Sequence, residues 1–158
     1  MVGQAEQASA RIAEMRAQLD AIARAAASFP RRPKVFFEEW DEPHISAIRW
    51  VSELLTLAGG EDIFPELARE PMGKDRIIAD GQQIVARAPD IVIGSWCGKK
   101  FRPEKVAQRP GWQDVPAVRD GQLFEIKSAD ILQPGPAALT DGVAQLHRII
   151  AQWVARHG

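Results

Sequence analysis

Cys97 and His44 are the side chains whose types could perform covalent chemistry in this sequence. A thiolate at a strand end needs a base within hydrogen-bond reach, and His44, in the loop after the first predicted strand, is the candidate. That pairing defines one reading, a small hydrolase or transferase dependent on Cys97 and His44. Against it stands the ordinary role of a single cysteine as an inert apolar filler. His147 falls inside the last helix and His157 at its end, so the histidines have no metal-ligand spacing. Glu38, Glu39, Asp41 and Glu42 gather around Trp40. Paired carboxylates can exchange protons or hold a metal, but a charge run beside a strand end reads as a solvated rim that could also meet basic residues of a partner.

Trp40 and Trp96 each directly follow an apolar strand, where side chains line clefts, and both are expected to face a ligand. Large planar aromatic surface suits a bulky, partly apolar ligand better than a small anion. Gly94-Ser95-Trp96-Cys97-Gly98-Lys99-Lys100 is not a phosphate loop, because the spacing between its glycines is one residue short and no Ser or Thr follows the lysine.

These residues must be positioned by an alternation of strands and helices. Pro89-Asp90-Ile91-Val92-Ile93-Gly94 reads as a short strand buried on both faces, with Ser95 to Gly98 as the loop at its carboxyl end. Ligands of open α/β sheets collect at such ends. Ala5, Ala8, Ile12, Met15, Leu19, Ile22 and Ala26 form one narrow apolar seam on a helix from about Gln4 to Ala27, which Phe29-Pro30-Arg31-Arg32-Pro33 stops. Lys34 to Glu38 is a predicted strand and Glu39 to His44 the loop after it. Pro43 then opens a helix bearing Ile45, Ile48, Val51, Leu54, Leu55 and Ala58, stopped by Gly59-Gly60. Asp80 and Gln83 suggest a variant capping box for a helix through Ala88, and Pro103 opens a short helix through Ala107. Asp120-Gly121 reads as a turn between two extended pieces, of which Leu123 to Ile126 is a strand. A third loop, Lys127 to Pro136, precedes a last helix carrying Leu139, Val143, Leu146, Ile149, Ile150, Trp153 and Val154. The expected fold is α/β, a three-layer lobe with a mostly parallel sheet preceded by one long helix. Right-handed crossovers set the loops of Trp40, Trp96 and Asp130 along one rim.

Composition narrows the function classes. Twenty basic residues against twenty-one acidic ones, net −1, provide no basic excess for binding nucleic acid. One cysteine excludes an internal disulfide. The segment from Met1 to Glu6 has no basic and apolar leader pattern, so the chain as written reads as cytoplasmic.

Three stretches resemble the carboxyl-terminal lobe of cobalamin-type periplasmic substrate-binding proteins of ABC importers. They are Val35-Phe36-Phe37-Glu38-Glu39-Trp40-Asp41-Glu42-Pro43, then Trp50-Val51 through Ala58-Gly59-Gly60 to Ile63-Phe64, and Ala88-Pro89-Asp90-Ile91-Val92-Ile93. Ser95-Trp96-Cys97-Gly98, Arg109-Pro110-Gly111-Trp112 and Leu132 to Pro136 look like a corrinoid-binding branch of that family. The resemblance implies a joining helix and linker over residues 1–30 and a ligand-binding lobe over residues 31–158, with an amino-terminal lobe outside this sequence. It implies no catalysis and no catalytic cofactor, a corrinoid such as cobalamin as transported ligand, a periplasmic location, and an ABC permease as partner. Glu39, Trp40, Asp41, Ser95, Trp96, Cys97, Asp130 and Ile131 are the implied ligand-binding residues. The family's permease-docking acid falls at Gln82, beside Asp80. Without the first lobe, Ile12, Met15 and Leu19 are expected to be free to pair with a second copy.

Overall fold

The computed structural model describes residues 2–158; Met1, the first residue of the predicted joining segment and leader reading, lies outside them. Helix α1 (Val2–Ala27) is the predicted long helix. Its carboxyl-terminal turns pack, with Ile22 and Ala26 buried, while Ile12 remains 48% exposed. The narrow stripe gives the reason, because the alanines between its larger side chains bring little apolar area to bury.

After the linker the chain runs β1 (Lys34–Asp41), β2 (His44–Ser46), α2 (Arg49–Leu57), β3 (Glu61–Asp62), β4 (Ile77–Ile78), α3 (Gln82–Arg87) and β5 (Ile91–Gly94). It continues through α4 (Pro103–Ala107), α5 (Pro116–Arg119), β6 (Leu123–Glu125), α6 (Ser128–Ile131) and α7 (Val143–His157). The sheet order is β4-β2-β1-β5-β6, with β3 beside the start of β1. β3, β5 and β6 pair in parallel fashion, whereas β2 runs antiparallel to both β1 and β4. β5 is therefore an inner strand, and all four of its residues are buried, as its unbroken apolar run requires.

Alternation along the inner strands divides the core between two faces. Val35, Phe37, Ile91 and Ile93 pack with Val51, Leu55, Leu146 and Ile150 of α2 and α7. Phe36 and Val92 point the other way, into a core with Ile84, Val106, Trp112 and Ala117. The three expected layers follow from this split. Gly59, at φ +105° just past α2, ends that helix in a conformation that disfavours side chains. The carboxyl ends of the parallel strands are level, with Glu38 opposite Gly94 and Gly94 opposite Glu125.

Four local expectations are corrected. Glu39, Trp40 and Asp41 belong to β1, not to a loop, and the chain turns through a cis Glu42–Pro43 bond into a hairpin. Acidic residues are poor strand formers, but here tertiary cations neutralise them. Pro43 consequently opens no helix: Ile45 lies in β2 and α2 starts at Arg49, after Glu39 Oε2 has accepted the Ile48 N–H at 2.6 Å. Upstream of Asp120-Gly121 lies the short helix α5, with Pro116 in its first turn, where an extended piece was expected. Leu139 sits in a wide turn over Ala138–Gly142 that leads into α7, and it is 37% exposed instead of facing the core.

Candidate functional site

Glu38 is the centre of the strand-end rim. It is fully buried, yet four donors converge on its two oxygens. Arg109 donates from Nη1 to Oε2 at 3.0 Å and from Nη2 to Oε1 at 2.8 Å. Trp96 Nε1 donates to Oε1 at 3.0 Å, and His44 Nδ1 lies 2.9 Å from Oε2. A buried carboxylate is tolerable only when its acceptor positions are filled in this way. One side chain thus ties together the β1–β2 hairpin, the loop after β5 and the segment after α4. Trp112 packs beneath, its ring 4.6 Å from the Arg109 guanidinium and 6.1 Å from the His44 ring centre.

Two hollows flank this hub. One, of about 380 Å³, is lined by Asp41, Glu42, His44, Gly81, Gln82, Lys105, Arg109, Pro110 and Trp112. The other, of about 530 Å³, lies past the ends of β5 and β6 and is lined by Trp96, Gly98, Lys99, Lys100, Glu125, Lys127, Ser128 and Ala129. Lys99 stands near both: its Nζ is 2.8 Å from Asp41 Oδ2, 5.4 Å from the Trp40 ring centre and 5.2 Å from that of Trp96. Burial disfavours the charged form of Asp41, but the hydrogen bond and charge of Lys99 outweigh it and hold its pKa below the ordinary value. For Glu39 burial wins over Arg76, and its pKa is raised.

Gly94 is required at the carboxyl end of β5. The Phe101 ring lies against it so closely that a Cβ would sit 2.0 Å from Cδ2. Phe101 in turn stacks edge-on to Trp96, with ring centres 4.9 Å apart.

The predicted site residues divide sharply. Trp40 is half-buried at the rim, its Nε1 donating to the Glu42 carbonyl at 3.0 Å. Cys97 is exposed, and Asp130 is half-buried and accepts from Gln145 Nε2 at 3.1 Å. Trp96 offers no open aromatic face; it is 3% exposed, because its N–H turns inward to Glu38 and its ring meets Phe101. Ser95 and Ile131 are also fully buried: β5 carries the Ser95 N–H onto the Glu38 carbonyl, and Ile131 joins the α2–α7 core. Both Glu39 oxygens are taken, Oε1 by Arg76 at 2.9 Å and Oε2 by the Ile48 N–H. Nor do Glu38 and Asp41 form a solvated rim, since both are buried against cations. Asp80 and Gln82 are exposed at the start of α3, where Asp80 Oδ1 accepts the Gln82 N–H at 2.9 Å and Gln82 Nε2 donates to the Pro110 carbonyl. The helix is capped by this short bond, with Gly81 before its first residue, and not by a reciprocal box with Gln83. Among the described residues no hydrogen bond joins Cys97 to His44, whose Nδ1 is committed to Glu38. None groups three or more His, Cys, Asp or Glu side chains to hold a metal, and no helix is long and apolar enough to cross a membrane.

Sequence reasoning missed Glu38 as a hub, together with Arg109, Lys99 and Trp112. Strand parity carried the signal for Glu38, which shares a face with Phe36 and so points into a core where a carboxylate must find cations.

An open, mostly parallel sheet with a long leading helix, and with two hollows at its strand ends, matches the architecture of a solute-binding lobe. The chain belongs to the periplasmic binding protein family, whose model matches residues 1–129. It is similar to a periplasmic binding protein from Veillonella parvula, at 25% identity over 92% of this chain and 50% of that one, with a TM-score of 0.71. The periplasmic vitamin B12 binding protein of Vibrio cholerae matches 87% of this chain and 51% of its own at 21% identity, with a TM-score of 0.63. S. aureus IsdE complexed with heme matches 92% and 57% at 18% identity, with a TM-score of 0.70. No curated protein sequence matches the chain. The chain spans between 48% and 58% of the length of these and similar solved structures.

Proposed function

We propose that residues 31–158 form one wall of the ligand cleft of a substrate-binding protein for an ABC importer, with residues 1–30 as the joining helix and linker and a periplasmic place of work. The ligand is cobalamin or a related corrinoid. The supporting observation is Trp40, a half-buried indole at the strand-end rim with the Lys99 ammonium over its ring; its neighbour Asp41 lines one hollow and Lys99 lines the other. A bulky, partly apolar ligand gains burial on that ring and polar contacts from Asp41, Cys97 and Asp130 around it. Proteins of similar fold bind vitamin B12 or heme, so the tetrapyrrole class is supported more broadly than the corrinoid. The reading requires no catalysis by this chain.

Two partner surfaces belong to the same reading. Asp80 and Gln82, exposed at the start of α3, face the permease. Ile12, Met15 and Leu19 of α1 form the seam for a second copy, with Leu19 half-buried because it already packs against the lobe's own core, an idea that light scattering showing only monomer at high concentration would remove.

Titrating cyanocobalamin while following tryptophan fluorescence tests the ligand. Saturable quenching that weakens in Trp40→Ala is the expected result, and the absence of any saturable change overturns the reading. Trp40, not Trp96, is the residue to replace, because removing the buried Trp96 would disturb the core itself.

A further inference from the structure

Two buried acids of β1 are served differently at the rim. Both oxygens of Glu38 are filled by donors. Asp41, 6% exposed, has Lys99 Nζ on Oδ2 at 2.8 Å but, among the described residues, no hydrogen-bond partner on Oδ1. A buried acceptor without a donor costs free energy that an incoming donor recovers. The same ammonium stands over two indole rings, 5.4 Å from the centre of Trp40 and 5.2 Å from that of Trp96. Two aromatic rings and a carboxylate make a seat that prefers positive charge and polarised N–H groups.

The walls of this seat are fixed and its occupant is not. Trp40 Nε1 is held by the Glu42 carbonyl and Trp96 Nε1 by Glu38. The Lys99 side chain, by contrast, is 37% exposed, and it follows Gly98, at φ +68°, where a Cβ would meet nothing within 4 Å. Asp41 lines one hollow and Lys99 the other, so a ligand large enough to span both passes over the pair. Resting on the tetrapyrrole reading above, we propose that Asp41, Trp40 and Trp96 form a seat for a peripheral N–H donor of the ligand, a primary carboxamide of the kind that fringes a corrinoid, and that Lys99 fills the seat until the ligand displaces it. The exchange breaks the Lys99–Asp41 hydrogen bond and forms one from the amide N–H to the same carboxylate. The freed ammonium moves into solvent, and no proton or electron is transferred. A carboxylate fringe gains nothing at this seat, because Asp41 repels it.

The probes are dicyanocobinamide, which bears carboxamides, and hemin, which bears carboxylates, added separately to the whole chain while tryptophan fluorescence is recorded. Lys99→Ala should bind dicyanocobinamide about tenfold more tightly than the parent, because a competing occupant is gone, and hemin no more tightly. In an Asp41→Ala background the same replacement should bring no gain, with circular dichroism verifying that each variant is folded. In the parent, reductive methylation of the Lys99 amine, followed by mass spectrometry, should quicken when dicyanocobinamide is saturating. Weaker or unchanged dicyanocobinamide binding in Lys99→Ala, or methylation of Lys99 that does not quicken in the complex, overturns the displacement and leaves the tetrapyrrole reading intact. Saturable quenching by hemin with none by dicyanocobinamide does the same. If neither probe quenches the parent or Lys99→Ala, both readings fail.

Discussion

The two hollows at the strand ends are built on opposite principles. Beside the β1–β2 hairpin, the walls are fixed by a buried carboxylate whose acceptor positions are all taken, and by a tryptophan stacked under its partners. Beyond β5 and β6, the walls are the exposed lysines 100 and 127, beside Lys99 held on Asp41, over Trp96 with Phe101 packed against it. The first is preorganised and the second adaptable. Preorganised groups lose little entropy when a ligand arrives, whereas long ammonium side chains must be ordered at that moment. Geometry-dependent recognition therefore belongs to the hairpin side, and tolerant attraction for anionic groups to the lysine side.

Breaking the hub gives the largest expected effect. Glu38→Ala leaves the Arg109 charge and the Trp96 N–H without their partner in a buried setting, and a loss of about 3–5 kcal/mol is expected by denaturant unfolding. A loss near that of a surface substitution would mean that the hub is not preorganised. Gly94→Ala tests the packing against Trp96, which lines the other hollow. Its Cβ would meet the Phe101 ring, and a cost of about 1–3 kcal/mol is expected, with Phe101 displaced from Trp96.

A smaller effect appears in the pH dependence of stability, where neighbouring acids of one strand act in opposite senses. Asp41 has a lowered folded pKa, so the unfolded chain binds more protons there; its contribution is complete above the ordinary value of 3.8 and fades as the pH falls below it. Glu39 has a raised folded pKa, so its contribution is complete below the ordinary value of 4.5 and is lost as the pH rises through the folded value. Unfolding midpoints of Asp41→Asn and Glu39→Gln across pH 3 to 7 (about the carboxylate range) should differ in slope from the parent in opposite directions. Least of all, Lys100→Ala with Lys127→Ala should change stability by no more than about 0.5 kcal/mol. The same pair should weaken binding of an anionic tetrapyrrole and flatten its salt dependence. Unchanged salt dependence would remove the adaptable side of the contrast.

Much of the scaffold was legible in the amino-acid order. The unbroken run Ile91-Val92-Ile93 could only be an inner strand, the seam from Ile12 to Ala26 could only be one side of a long helix, and Gly59-Gly60 ended α2 as glycines do. The site was less legible. Trp40 and Trp96 occupy similar positions after their strands, yet one is half-exposed and the other is 3% exposed. Local sequence contains nothing to separate them, because the difference is made by Glu38, 58 residues from Trp96, and by Phe101 lying on Gly94.

The sequence by itself determined the periodicities, and with them the strands, the helices and the shared edge at which their loops emerge, because period and turn chemistry are local properties. Only the tertiary structure decided which polar side chains became interior. The acids around Trp40 are alike in sequence, but Glu38 and Asp41 are buried because Arg109 and Lys99 arrive from distant segments, while Glu42 stays exposed. The energy of a buried charge depends on partners that no local window contains.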